Sequence, residues 1–285
     1  MIETWLQPLP HGINLSCRAA GERGQPVLMF LHGFPEAAFV WDELLQHFAA
    51  RGYRCVAPNL RGFEQSSRPA DAKDYRAKFL VQDIAALIAT EGGELECLVA
   101  HDWGGAVAWG VANQLPQLAR RLAIVNSPHP GTFLRELQRN TRQQQASAYM
   151  NFLVRPDAEA LLREDGYRRL LGFFEHPAWM TEDLRRRYIE VWDASLEGGC
   201  NYYRASPLRP GSADAVTLPR EMLTVDIPTL VLWAMDDIAL GPELVEGLDE
   251  YVSRLTLEKV PGATHWIIHE RPAFVAQRLE AFLAR

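Results

Sequence analysis

In the first 130 positions, short unbroken apolar runs alternate with longer stretches of helical spacing. The run Val27–Leu31 is continuously apolar, which fits a strand buried on both faces. Residues 39–50 then set Trp41, Leu44, Leu45 and Phe48 on one helical face. The alternation repeats: strand 54–57, helix 78–88 through Phe79, Leu80, Ile84 and Leu87, strand 95–100, helix 106–113, strand 122–126. Strands alternating with helices predict parallel βαβ units and an α/β fold with a mostly parallel, doubly wound sheet.

The pattern changes after Pro128. Residues 131–218 are rich in Arg, Gln, Glu and aromatics, with helical periodicity and no convincing strand. Residues 227–233 and Leu255–Val260 resume the strand pattern, and Pro272–Leu283 closes as an amphipathic helix. The expected organisation is a core domain of residues 1–130 and 219–285, interrupted by a helical cap, or lid, over 131–218. A segment that long exceeds an ordinary loop. Its expected place is over the carboxyl ends of the strands, where open α/β sheets bind ligands.

Composition narrows the partners. Lys and Arg total 29 against 36 Asp and Glu, a net charge of −7, which argues against a general nucleic-acid binder. Cys17, Cys55, Cys97 and Cys200 form no CxxC or CxH pair, so zinc and thioredoxin-like chemistry are disfavoured. They read as buried structural thiols in a reducing compartment. The first twelve residues lack the basic and apolar regions of a secretory signal, and no apolar run approaches a membrane span. The expectation is a soluble cytoplasmic protein without a membrane partner; monomer and homodimer stay open.

Four short stretches carry chemistry. In the first, Leu98-Val-Ala-His-Asp-Trp-Gly-Gly-Ala106, an apolar strand runs into Asp102 and then into two glycines and a helix. Small neighbours allow a sharp strand-to-helix turn that exposes the central side chain. An aspartate there is ionised at neutral pH and needs no base to act as a nucleophile. It suits attack on an sp³ carbon better than attack on an ester or amide. A helix N-cap is the competing role for Asp102 taken alone. The second stretch, Phe30-Leu-His-Gly-Phe-Pro-Glu36, follows the first strand. Gly33 permits a close turn, and Phe34 before Pro35 is extended or cis. Backbone N–H groups of Phe34 and Trp103 are the candidate oxyanion donors.

The other two stretches are Trp233-Ala-Met-Asp-Asp-Ile238 and Gly262-Ala-Thr-His-Trp266. The order Asp102, Asp237, His265 is nucleophile, acid, histidine. The acid would orient the imidazole, which would activate water. Asp236 is the rival of Asp237. His11, His32, His47, His101, His129, His176 and His269 are the rivals of His265, which is preferred for its place just after the last strand and before the closing helix.

Together these stretches resemble the α/β-hydrolase superfamily, and the aspartate narrows the resemblance to its epoxide hydrolase and haloalkane dehalogenase branch, over essentially the whole chain. Arg61-Gly-Phe-Glu-Gln-Ser-Ser-Arg-Pro69 is similar to a structural loop of that branch, with Glu64 where Gly is usual and Asn59 where Asp often precedes. Epoxide hydrolases of this type use two lid tyrosines on the epoxide oxygen. Tyr149-Met-Asn-Phe-Leu-Val-Arg-Pro156 and Asn201-Tyr-Tyr-Arg204 resemble the two motifs, which points to Tyr149 and to Tyr203 ahead of Tyr202. Packing is their competing role.

The resemblance implies an epoxide hydrolase that makes a vicinal diol from an apolar or aromatic epoxide. It implies a covalent ester on Asp102 and no metal or organic cofactor. A haloalkane dehalogenase is the alternative. Trp103 suits it, but Phe34 lacks a side-chain halide donor, so Trp179 or Trp192 would have to supply one. Fluoroacetate-type enzymes carry Arg where this chain has Trp103. A non-catalytic ligand receptor on the same scaffold is the alternative of another class.

Overall fold

The computed structural model describes residues 1–174 and 178–285; His176 lies outside them. Its strands are β1 (Glu3–Pro8), β2 (Asn14–Ala20), β3 (Val27–Leu31), β4 (Arg54–Pro58), β5 (Cys97–His101), β6 (Leu122–Val125), β7 (Thr229–Ala234) and β8 (Leu255–Val260). They form one sheet in the order β1-β2-β4-β3-β5-β6-β7-β8. From β4 to β8 every pairing is parallel, while β1–β2 and β2–β4 are antiparallel. The doubly wound expectation therefore holds.

The antiparallel pair β1–β2 is an addition to what the sequence pattern predicts. β1 is an edge strand whose positions are exposed or half-buried, so few of its residues need be apolar. β2 does alternate, with Leu15, Cys17 and Ala19 inward, but Cys and Ala give a faint hydrophobic signal.

Helices cover both faces of the sheet. On one face Leu28, Phe30, Val99 and Val125 pack against α1 (Asp42–Ala49) through Leu44, Leu45 and Phe48. The neighbouring positions Met29, Leu31, Leu98 and Ile124 point the other way, toward α2 (Ala77–Thr90) and α3 (Asp102–Gln114). The period of two within continuously apolar strands is what sends alternate residues to two cores. α3 starts four residues before the helix that the spacing predicts, because Gly104 and Gly105 mask its first turn with their low helix propensity.

Between β6 and β7 run α4 (Pro130–Arg139), α5 (Thr141–Ala146), α6 (Tyr149–Leu153), α7 (Ala158–Gly172) and α8 (Glu182–Ala205). No strand interrupts them among the described residues. α8 breaks at Ser195, whose φ is −150°. The Ser195 hydroxyl donates back to Val191 O at 2.7 Å and accepts from Glu64 N at 3.0 Å, tying the break to the loop after β4. After β8, α9 (Ile267–Glu270) and α10 (Pro272–Leu283) close the chain. No helix among the described residues is long and apolar enough to cross a membrane.

Candidate active site

Asp102 stands at the end of β5 with φ +47°, a left-handed conformation that a non-glycine residue adopts only under constraint. The constraint is packing. A Cβ on Gly104 would lie 2.5 Å from Leu31 O, so the first turn of α3 presses directly on β3. The Ser127 hydroxyl pins the turn by donating to Asp102 O at 2.6 Å. A Cβ on Gly33 would lie 2.2 Å from Asp102 Oδ1, so only glycine there lets the carboxylate reach the Phe34 N–H. That N–H donates to Oδ1 at 2.8 Å. No hydrogen bond from Trp103 N to the Asp102 carboxylate is present among the described residues.

The remaining oxygen, Oδ2, faces His265 Nε2 at 3.7 Å. His265 Nδ1 is 2.7 Å from Asp237 Oδ2. Asp237 is held on both oxygens: Ala239 N and Leu240 N donate to Oδ1 at 2.8 and 2.9 Å, and Asn126 Nδ2 donates to Oδ2 at 2.5 Å. Burial disfavours its charge, but His265 and these donors hold its carboxyl below the usual range. Burial likewise opposes charge on His265, yet Asp237 first and then Asp102 outweigh it and raise the imidazole to about 9. Asp236, by contrast, is exposed and its side chain takes no part in this network.

The other described histidines are engaged elsewhere. His11 pairs with Asp83 and His47 with Glu280. His32 and His129 are buried, and burial pushes both down to about 4. His101 and His269 share the fully buried Glu36, at 2.9 and 3.0 Å. His101 Nε2 in turn bonds the backbone carbonyl of His265 at 3.0 Å. This network and Asn126 are absent from the sequence reading. The run Val125-Asn126-Ser127-Pro128 at the end of a strand was the available signal for Asn126, and Glu36 sat unremarked in the Phe34 stretch.

Tyr203 reaches the site because α8 can come close to the core. A Cβ on Gly198 would lie 2.0 Å from Gly62 O, and one on Gly199 would lie 2.5 Å from the Phe34 ring. Tyr202 and Tyr203 then part company. Tyr202 donates its hydroxyl to Arg61 O at 2.8 Å. The Tyr203 ring stands edge-on to Trp103 and to Phe34, at 5.0 and 5.5 Å between centroids. Tyr149, on α6, meets Tyr203 edge-on at 6.1 Å. Burial, then negative charge nearby including Asp102, raises both hydroxyls well above the ordinary tyrosine value, so both stay protonated donors. Trp192 Nε1 is taken by Pro35 O at 2.7 Å, and Trp179 stacks on His269 at 4.3 Å; neither ring lines the cavity over Asp102.

That cavity measures about 260 Å³ and brings together Asp102, Asp237, His265, Tyr149, Tyr203 and Phe34. The paired changes in the loop after β4 also find a reason. Glu64, at φ +48°, accepts from the Asn59 side-chain amide and from the Ser16 hydroxyl, where an aspartate at 59 would set two carboxylates against each other.

Residues 26–272 match the family model described as alpha/beta hydrolase fold. The AB hydrolase superfamily protein YfhM of Bacillus subtilis is 34% identical over 96% of this chain and 95% of its own length. Human epoxide hydrolase 4 is 32% identical, over 95% of this chain and 76% of its own. A solved epoxide hydrolase from metagenomes of hot environments superposes with a TM-score of 0.90 at 38% identity, covering 99% of both chains. With an aspartate on the strand-to-helix turn, a His–Asp pair behind it and relatives of this kind along its whole length, the chain belongs to the α/β-hydrolase family, in its epoxide hydrolase branch.

Proposed function

We propose that this protein hydrolyses epoxides to vicinal diols through an ester on Asp102, beneath a cap formed by residues 131–218. One observation carries the reading: two protonated tyrosine hydroxyls share a cavity with an aspartate whose Oδ1 is held by Phe34 N–H while its Oδ2 is left to attack. The halide route has less support, since Trp192 is committed to Pro35 O and Trp179 lies away from the cavity.

In the first step Asp102 Oδ2 attacks a ring carbon. The ring C–O bond breaks, its electron pair goes to oxygen, and Tyr149 and Tyr203 both hydrogen-bond that oxygen while one of them gives it a proton, which the His265 imidazolium replaces to leave a neutral imidazole. In the second step His265 Nε2 takes a proton from water as the water oxygen attacks Asp102 Cγ. The 3.7 Å gap between Nε2 and Oδ2 is too long for a strong direct hydrogen bond and leaves an approach to Cγ. Oδ1 becomes the oxyanion, held by Phe34 N–H and, as the charge builds, by Trp103 N–H. The Cγ–Oδ2 bond then breaks, Oδ2 leaves in the diol, and His265 returns the proton to it.

Single turnover in ¹⁸O-water tests this. The first diol carries no ¹⁸O, and Asp102 gains it. Label in the first diol would sink the ester step.

A further inference from the structure

A second, smaller cavity shares Asp102, Tyr149 and Tyr203 with the first and is otherwise lined by different residues. It measures about 70 Å³ against about 260 Å³. Its walls include Trp103, Phe133, Met150 and Leu208, with Ser127 and Ser206 as polar members. The larger arm runs past His265, Trp266 and Phe173 to Ile238, which is 65% exposed although it is a large apolar residue lining the cavity. The attacking aspartate and both hydroxyl donors thus stand where two apolar arms of unequal size meet.

An epoxide must place its oxygen at the tyrosines and a ring carbon at Asp102 Oδ2. Substituents on its two ring carbons then have two separate arms to occupy. At roughly 15 Å³ of such space per water-sized group, the small arm holds about four to five heavy atoms. The same measure gives the large arm space for an aromatic ring and more. The small arm has little scope to widen. Phe133 and Leu208 belong to an apolar cluster with the buried Leu134, Leu137 and Ala213, and packed apolar groups yield only at a cost.

We infer that the preferred substrates are unsymmetrical apolar epoxides, with at most a short alkyl group on one ring carbon and a larger aryl or alkyl group on the other, the larger group lying along the arm that ends at Ile238. This rests on the epoxide hydrolase reading of the site. Exposed Ile238 fits the role, since a long tail leaving the larger arm would cover it.

The test compares styrene oxide, trans-1-phenylpropylene oxide and trans-stilbene oxide, whose smaller groups are hydrogen, methyl and phenyl. Wild type should turn over the first two with kcat/KM within tenfold of each other, and stilbene oxide at least a hundredfold more slowly. Leu208→Ala and Phe133→Ala should each raise the ratio of stilbene oxide to styrene oxide kcat/KM at least tenfold. A ratio needs only the folded fraction, so partial misfolding of a variant does not blur it. Stilbene oxide hydrolysed by wild type as fast as the methyl compound would overturn the assignment of the arms, as would ratios unmoved in both variants. No diol from any of the three would instead overturn the epoxide reading itself.

Discussion

Gly198→Ala separates a positioning role for α8 from a passive one. Gly198 follows the break at Ser195, on the same helical segment as Tyr203 and five residues before it. An added Cβ would sit 2.0 Å from Gly62 O and 2.5 Å from Gly62 Cα. Both are backbone atoms, so no side chain can swing away. Restoring ordinary contact at 3.4 Å requires the segment to retreat by roughly 1.4 Å, because packed interiors do not compress. Helix propensity favours the change by about 0.5–1 kcal/mol, while overpacking opposes it by about 1–3 kcal/mol, so the net loss of stability is about 0–2.5 kcal/mol. Displacing the Tyr203 hydroxyl by an ångström should lower the rate by about 10²-fold. The measurements are kcat/KM on styrene oxide and the thermal midpoint. Gly172→Ala is the control, since a Cβ there meets nothing within 4 Å. Activity of Gly198→Ala within twofold of wild type would refute the idea that close approach of α8 sets the hydroxyl.

Tyr203→Phe should lower kcat by about 10²–10³-fold, as loss of an oxyanion donor does, whereas Tyr202→Phe should forfeit only the bond to Arg61 O, about 1 kcal/mol of stability seen by thermal unfolding. In His265→Gln the ester should form and persist, and intact-protein mass should rise by the mass of the epoxide. Glu36→Gln should destabilise by about 1.5–3 kcal/mol, since His101 and His269 both bond that buried carboxylate; denaturant unfolding reads it. In Asp102→Asn the His265 imidazole should titrate below its wild-type value of about 9, because one of the charges raising it is gone; NMR of the ring proton follows this directly. The folded value lies above the free value of 6.5, so the stabilisation from this pair is full below about 6.5 and fades as pH rises through about 9.

The parts legible in the sequence are those set by local rules. Short apolar runs gave β3, β5, β6 and β7, more broken ones β4 and β8, and the order Asp102, Asp237, His265 followed from what ends each strand. Asp237 and Asp236 are adjacent and chemically identical, and what separates them is which carboxylate turns inward to Asn126, Ala239 N and Leu240 N. Tertiary polar contacts were out of reach. Glu36 meets His269 across 233 positions and Tyr188 across 152, and no local pattern encodes such distances. The pairing of Glu64 with Asn59 appeared only as two departures from a motif. Their hydrogen bond shows them to be one change rather than two.

The elevated His265 fits a two-step reaction better than a one-step one. With the Asp237 carboxyl held below its usual range, His265 at about 9 is a cation at neutral pH and cannot take a proton from water. Direct attack by water, with His265 as base from the start, would begin in the wrong protonation state. In the proposed mechanism esterification changes this. It removes the charge of Asp102, which lies 3.7 Å from Nε2, while Asp237 keeps its own behind three hydrogen-bond donors. His265 then loses one of the charges that held its proton, at the moment ring opening creates an alkoxide that needs one. The proton shed by the imidazole balances the proton spent by the tyrosines, and a neutral base exists only once there is an ester for it to hydrolyse. When the ester is gone, Asp102 emerges as an acid, returns its proton to His265, and the pair is restored. A carboxylate nucleophile beside a His–Asp pair thus orders the two steps by charge alone.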